Sequence, residues 1–540
     1  MAAQRPPVLR ASRTSAAPPW SPITGSGCTP GPNRLWIAPL VALGVALAGG
    51  LALLIAPPMG TDLAAQQARG AFAAAHPGAA VDLRWFGGVF PAAYSALTPY
   101  VEAVLGARLT GTLAAVATAP LLALLLQRWG ARRPVWAAVW GALAVTANVV
   151  SGRTAFTVGL LFAVAALVAV PAPGARRRRW VLPLSLAALT TMTSPVAALF
   201  LGLVALCWAI VFRPVAWLAL AAALPMAGIG LLFSEPGRMP DTWAVARPVL
   251  LACLAVAVLC RGVPVRAGAA VYAAGALLVY FAPGPVGSNV ERLALLFAGM
   301  ALLAAATLPW PLLLVAVAIA AQWTARVPWH DLQTSHRLQV EHAASERLVR
   351  ILHGLGPVTG RVEVVPFADH GESSVVANAW PLARGWERQV DVRRAAALYS
   401  SHLDAAGYLR WLQQQNVAYV ALGRHAHDWS ARSELRLLAR PPSWLSVVHS
   451  DPEWTVWRVQ PAAPLVGGDA QTLSVGGDAM TIQVAAPGVV PVGVRWSRWL
   501  TVSADACVRP GDGGIEIVVR RPGVVKLSSS YLAPLTGRHC

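Results

Sequence analysis

The chain has 540 residues, of which 56% are hydrophobic and 12% charged, and its mean hydropathy is +0.55. A water-soluble protein of this size has no interior large enough for so much apolar surface, so a soluble globular class is excluded and a polytopic membrane protein is expected. The formal net charge is +19, but the arginines that supply it cluster between apolar runs, as membrane topology requires, and no basic helix is interleaved with aromatics; nucleic acid is therefore not expected as a partner.

Residues 1–34 are rich in Pro, Ser and Arg and read as a disordered cytoplasmic N-terminus. A hydrocarbon core of about 30 Å needs roughly 20 apolar residues per helix. On that rule spans are expected near 35–57, 109–127, 134–150, 154–172, 180–193, 195–212, 214–233, 246–260, 266–282, 292–307 and 309–325. No cleavage site follows the first run, which reads as a retained signal anchor. Alternate loops carry the arginines: Arg128, Arg132 and Arg133, then Arg176 to Arg179, then Arg213, then Arg261 and Arg266. The other set carries most of the acids (Asp62, Asp82, Glu235, Asp241, Glu291). The bias predicts an N-terminus inside and a C-terminal region outside the cytoplasmic membrane.

Within this 35–325 bundle the first outside loop, 58–108, is unusually large. Asp62 follows directly on a span; then come the pair Arg84–Trp85, two glycines and a run rich in Tyr and Pro. The loop is expected to place charge, aromatic rings and flexible backbone at the membrane surface, where a lipid-linked substrate would sit. Past the last span the periodicity becomes ordinary. Residues 331–356 and 395–415 predict helices, 361–366 and 417–422 strands, giving an α/β domain over 326–462. From Leu465 short β-type runs separated by Gly, Pro and Asp predict a small β-sandwich over 463–540. Cys507 and Cys540 lie in this tail and can pair if it is outside the cytoplasm, whereas Cys207, Cys253 and Cys260 lie in apolar runs. There is no CxxC metal spacing, P-loop, GxSxG elbow or HExxH motif, and no internal repeat of the kind inverted-repeat transporters carry.

The many-span bundle, the large first outside loop with an acid right after the first span, and the soluble C-terminal region on the same face together resemble the GT-C superfamily of membrane glycosyltransferases. The stretch GTDLAAQQARGAF…DLRWFGGVFPAAYSALTPYVEAVLG, with GPVGSNVERL (284–293) and PLARGWERQVD (381–391), is similar to GT-C-like proteins of high-GC Gram-positive bacteria. The resemblance implies a polyprenyl-phosphate-linked sugar donor and a cell-envelope glycan, lipid or protein acceptor, met at the outer face among membrane lipids. Members often carry two adjacent acids in the first loop; here Asp62 stands alone between Thr61 and Leu63.

Asp62 is the expected catalytic base. An acceptor hydroxyl must lose its proton as it attacks the anomeric carbon, and partial desolvation at a membrane surface raises a carboxylate's affinity for that proton; the resemblance implies the same role. The competing reading is an N-cap for the helix-forming LAAQQARGAFAAAH. Arg84 and Trp85 are read as donor-phosphate and stacking groups, or else as interfacial anchors, and Asp82 as a second acid or a solvated loop residue. Tyr94 and Tyr100 read as packing or belt residues. Arg153 and Arg292, the latter beside Asn289, flank spans on the outside face and suit a phosphate leaving group, or else snorkel. In the soluble region Arg384, Trp386, Glu387 and Arg388 suit carbohydrate stacking and hydrogen bonding, or else an ordered docking loop. Asp369, His370 and Glu372 suit a divalent metal ion or the acceptor, against a solvated loop. The leading expectation is sugar transfer from a polyprenyl-phosphate carrier. The rivals are a transporter or lipid-glycan flippase, disfavoured by spans almost free of charge, and a non-catalytic envelope-assembly protein.

Overall fold

The computed structural model of the chain describes residues 35–540 apart from Pro236 and Ala504; the segment expected to be a disordered N-terminus, 1–34, lies outside the described residues. Each predicted apolar run is helical: Ile37–Ile55, Ala107–Arg128, Pro134–Val150, Thr154–Val168, Val181–Thr193, Pro195–Trp208, Ala216–Leu232, Trp243–Leu259, Val263–Phe281, Glu291–Ala305 and Trp310–Gln333. Six apolar stretches (37–55, 107–128, 213–232, 263–281, 287–305 and 310–333) are long enough to cross a membrane by themselves, and several shorter apolar helices pack among them. The chain is a polytopic helical membrane protein with a C-terminal region rich in β-structure. Proline in the first turn starts several of these helices, where its missing N–H costs nothing. The Arg-rich turns gather at one end of the bundle, where Arg132 N–H donates to the Ala304 carbonyl and Arg261 N–H to that of Ala305. The opposite end carries the soluble region.

That region has two parts. Strands β1 (Arg361–Val364), β2 (Val417–Gly423), β3 (Leu445–Ser450) and β4 (Trp454–Val459) form a mixed sheet of order β1-β2-β4-β3, with β1 parallel to β2 and the other pairs antiparallel. Helices Arg337–Gly354 and Ala405–Gln414 cover its faces. The latter is shorter than the predicted 395–415, because Asp404 caps it, accepting from Gly407 N–H at 2.7 Å. The predicted helix 331–356 is likewise divided. The last membrane helix runs on to Gln333 before a turn and a fresh start at Arg337. The tail is a sandwich of one sheet ordered β5 (Ala470–Val475), β6 (Ala479–Val484), β11 (Gly523–Ser529), β8 (Leu500–Val502) and another ordered β7 (Gly488–Val492), β10 (Gly514–Val519), β9 (Ala506–Gly511). Alternate residues of both sheets fill one core. Cys507 and Cys540 are disulfide-bonded, while Cys207, Cys253 and Cys260 are free and buried.

The large first loop, 58–108, does not lie open. After the helix Leu63–Ala75 it threads between the two soluble parts. Ala80, Val81 and Leu83 enter the sandwich core, and Trp85, Phe86 and Val89 enter the α/β core. Leu83 N–H donates to the Gly477 carbonyl at 2.7 Å, and Leu382 N–H to that of Arg84 at 2.8 Å. The chain turns through Gly87 with φ +72, where an added Cβ would stand 2.9 Å from an Arg361 guanidinium nitrogen. The sandwich also caps the helix 216–232: Arg498 and the Trp499 indole donate to the carbonyls of Leu231 and Leu232, both at 3.1 Å, satisfying acceptors a helix end leaves bare.

Candidate active site

Two close backbone approaches build the site. Asp62 N–H donates to the Ser151 carbonyl at 3.3 Å, so the start of the first loop lies along the turn between helices 134–150 and 154–168. Gly152 in that turn has φ +73, and a Cβ there would stand 2.7 Å from Leu63 Cα. Only glycine supplies both the left-handed backbone and the room. Gly152→Val is expected to separate the two segments, lowering both thermal stability and any activity that needs them apposed. An unchanged melting temperature would show that the apposition is not required for folding.

Asp62 immediately precedes helix 63–75 but makes no side-chain cap bond. Its carboxylate turns instead to two arginines from distant segments: Oδ2 lies 3.3 Å from Arg153 Nε and 3.6 Å from Arg292 Nη2. Arg153 ends the same turn and Arg292 opens helix 291–305, its guanidinium also resting 5.2 Å from the Phe156 ring. All three side chains are mostly buried yet open to solvent, Asp62 most so at 24%. Asp331, at the end of the last membrane helix, holds the turn from the other side by accepting from Ser151 Oγ at 2.6 Å. One carboxylate between two guanidiniums leaves a positive balance at the contact itself, suited to an anion such as a phosphate.

The soluble region closes over this point. The Trp386 indole N–H donates to the Thr61 carbonyl at 2.6 Å, one residue from Asp62, and its ring stacks on His370 at 3.7 Å. Glu387 pairs with Arg69 at 3.0 Å, and Arg69 lies 3.7 Å over the Tyr94 ring. The Tyr94 hydroxyl in turn accepts from Gln66 at 3.0 Å. Burial raises the Tyr94 pKa, with the charges of Asp62, Arg69 and Arg292 acting on it as well.

His370 makes this cover sensitive to pH. Burial alone would lower its pKa. Glu372 Oε1 at 3.3 Å and Asp428 Oδ2 at 3.7 Å, the latter an ion-pair distance rather than a hydrogen bond, outweigh burial and push it up to about 9. A histidine raised in the folded state contributes stability fully present below its unfolded pKa near 6.5 and lost as pH rises through about 9, by about 1.4 kcal/mol per pKa unit of difference. Melting temperatures are expected to fall across that window in the wild type, and the fall is expected to flatten in His370→Gln. Equal slopes would remove His370 as the cause.

The other predicted residues are placed differently. Arg84 spends its guanidinium on Asp82 (2.7 Å), the Asn378 side chain (2.6 Å) and the Ala68 carbonyl (2.8 Å). Asp82 is thus a buried ion-pair partner, not a solvated loop residue. Trp85 is 1% exposed, its indole donating to the Ser373 carbonyl at 3.1 Å. Arg384 forks onto Asp391 at 2.8 and 2.6 Å, with Glu363 and Glu434 at 3.5 and 3.7 Å. Arg384→Ala would leave those carboxylates buried without their cation. A loss of about 3–5 kcal/mol of stability is expected, measured by denaturant unfolding. Arg388 is held by Asp428 at 2.9 Å and by the Tyr399 hydroxyl at 3.0 Å. Asn289 is buried, its amide 3.1 Å from the Met239 sulfur. Asp369, His370 and Glu372 are buried rather than solvated. Their polar atoms face one another, Asp428 and Arg337, which does not fit a divalent ion. Among the described residues no group of three or more His, Cys, Asp or Glu is suited to a metal.

Of the residues singled out from the sequence, the structure joins Asp62, Arg153 and Arg292 directly and brings Trp386 and Glu387 beside them. In the sequence Arg69 has no assigned role, Gln66 counts only toward a helix cap at Asp62, and Tyr94 reads as packing. The spacing 62, 66, 69 places Asp62, Gln66 and Arg69 along one side of a helix, the one local signal that these side chains share a face.

No protein-family model and no curated protein matches the chain. Among solved structures it is similar to apo ArnT from Cupriavidus metallidurans, with 14% identity over 79% of this chain and 98% of that one and a TM-score of 0.43. It is also similar to the arabinofuranosyltransferase AftD from Mycobacteria. A mutant form matches at 15% identity over 93% of this chain and 42% of that one, with a TM-score of 0.40. A further AftD structure matches at 15% identity over 94% and 40%, with a TM-score of 0.35.

Proposed function

We propose that the chain is a membrane glycosyltransferase that moves a sugar from a polyprenyl-phosphate carrier to a cell-envelope acceptor at the outer face of the cytoplasmic membrane, with the N-terminus inside and the soluble region outside. The observation that carries the reading is the Asp62–Arg153–Arg292 contact, formed at the ends of membrane helices and beneath a soluble cover. The two arginines hold Asp62. A donor phosphate offers them a better-matched anion, and the carboxylate is released to act as base. The acceptor hydroxyl gives its proton to Asp62, and its oxygen bonds to the anomeric carbon. The bond from that carbon to the phosphate oxygen breaks with its electron pair left on the phosphate, where Arg153 and Arg292 stabilise it. A single displacement of this kind inverts the anomeric centre.

The test is a set of polyprenyl-phosphate sugars, radiolabelled in the sugar and offered to membranes containing the chain. The expected products are labelled envelope material with the inverted linkage and an equal amount of free polyprenyl phosphate. A retained anomer would exclude the single displacement. Movement of intact donor across vesicle membranes without bond cleavage would make the chain a flippase instead.

A further inference from the structure

Away from the Asp62 contact, a cavity of about 170 Å³ opens where the first loop, the α/β part, the sandwich and the segment following helix 216–232 meet; its lining includes Gly88, Glu235, Arg393, Arg394, Arg495 and Trp496. At about 30 Å³ per water it has room for roughly five or six. That suits a phosphate or carboxylate with part of a sugar ring, and is too small for a lipid chain.

Its charge is unbalanced. Arg394 donates to both oxygens of Glu235 at 2.7 Å and to the carbonyls of Phe86 (3.2 Å) and Gly88 (2.8 Å), so it neutralises the one carboxylate in the lining. Arg361 stands just behind, against Gly87. It is 3% exposed, its partners are the carbonyls of Gln415 and Gly493 and the Asn416 side chain, and among the described residues its Nε has no partner. Arg495 is exposed, and among the described residues its guanidinium makes no hydrogen bond or ion pair. Its charge nonetheless acts on Glu235, Arg361 and Arg394. Burial, with repulsion from Arg495, holds Arg361 and Arg394 down at about 10. Crowding cations around one carboxylate costs free energy that an incoming anion would recover. Trp496, 38% exposed, lines the cavity beside Arg495, and its ring meets the His539 ring edge to face at 5.5 Å. Glu235 is the third residue past the end of helix 216–232, which places the cavity at the membrane surface.

We propose that this cavity is an oxyanion subsite that takes the phosphate or carboxylate of an anionic sugar on the acceptor, with Arg495 and Arg394 meeting the charge and Trp496 the sugar face. The assignment to the acceptor rests on the glycosyltransferase reading; the binding of an anion does not.

Saturation-transfer NMR on the full chain in neutral phosphatidylcholine nanodiscs tests it, with glucose 6-phosphate, glucuronate and glucose as probes. The two anionic probes are expected to bind and glucose not. Arg495→Glu reverses the charge of an exposed, unpaired side chain, so folding should survive, and it is expected to weaken anion binding roughly tenfold or more. Arg440→Glu makes the same change of charge at an exposed arginine that does not line the cavity, and it is expected to leave that binding unchanged. Binding indifferent to Arg495→Glu, or lost equally in Arg440→Glu, would overturn the proposal. Loss of the signal in phosphatidylglycerol nanodiscs would overturn the sugar assignment in favour of a lipid phosphate. If anions bind as expected while no donor supports transfer, the subsite stands and the enzyme reading fails.

Discussion

Asp62→Asn is expected to lower sugar transfer by roughly 10²–10⁴-fold, the range a positioned general base contributes, while donor binding persists. The amide is close in size to the carboxylate and can still accept from Arg153 beside Arg292, but it cannot take the acceptor's proton. It also removes the anion that competes with the donor phosphate for the two guanidiniums, so donor affinity should hold or rise. This split distinguishes a base from a cap. Asp62 makes no side-chain bond to the first turn of helix 63–75, so a cap role predicts no loss at all. Asp62→Glu keeps the charge on a longer arm and should retain part of the activity. The measurement is single-turnover transfer at saturating donor, with melting temperature as the check on folding. Full activity in Asp62→Asn would eliminate the proposed base.

Arg292→Ala is expected to reduce kcat by roughly 10²–10³-fold, as removal of one preorganised group facing developing charge does. Among the described residues, Arg292 is one of two cations paired with Asp62. Its side chain is 14% exposed, so its field acts on a leaving phosphate with little solvent screening. Arg292→Lys keeps the charge but loses the planar fork, and should fall between the two. A rise in KM with kcat unchanged would mean that Arg292 holds donor and transition state equally. No change in either would remove it from the phosphate site. Arg384→Ala makes a useful contrast, because its damage should appear in unfolding experiments before any kinetic one.

Much of the molecule was legible from local signals. Hydropathy located the helices of the bundle to within a few residues, except at the end of the last, which runs on to Gln333, because a helix in hydrocarbon must be apolar along its length. The three residues in contact at the site were each marked locally: an acid directly after a span, and an arginine at each of two span ends. The first outside loop was less legible. Its Arg–Trp pair and glycines suit a substrate-facing surface, yet Arg84 and Trp85 are ties between the bundle's first loop and the soluble α/β part. Arg384 and Arg388 carry the same ambiguity, since a guanidinium that holds a phosphate and one that holds a buried aspartate are the same residue in sequence.

By itself the sequence determined the membrane class, the apolar runs that form the helices of the bundle, and the residues stationed at their ends, because hydropathy and terminal charge act over one helix at a time. Only the tertiary structure decided that Asp62 meets Arg153, 91 positions away, and Arg292 beyond it, that Trp386 reaches back to Thr61 from the soluble region, and that Arg361, Arg394 and Arg495 share one field around a cavity. Which cation faces which anion follows from how distant segments pack, and at Gly60 and Gly152 that packing turns on backbone approaches too close for any side chain.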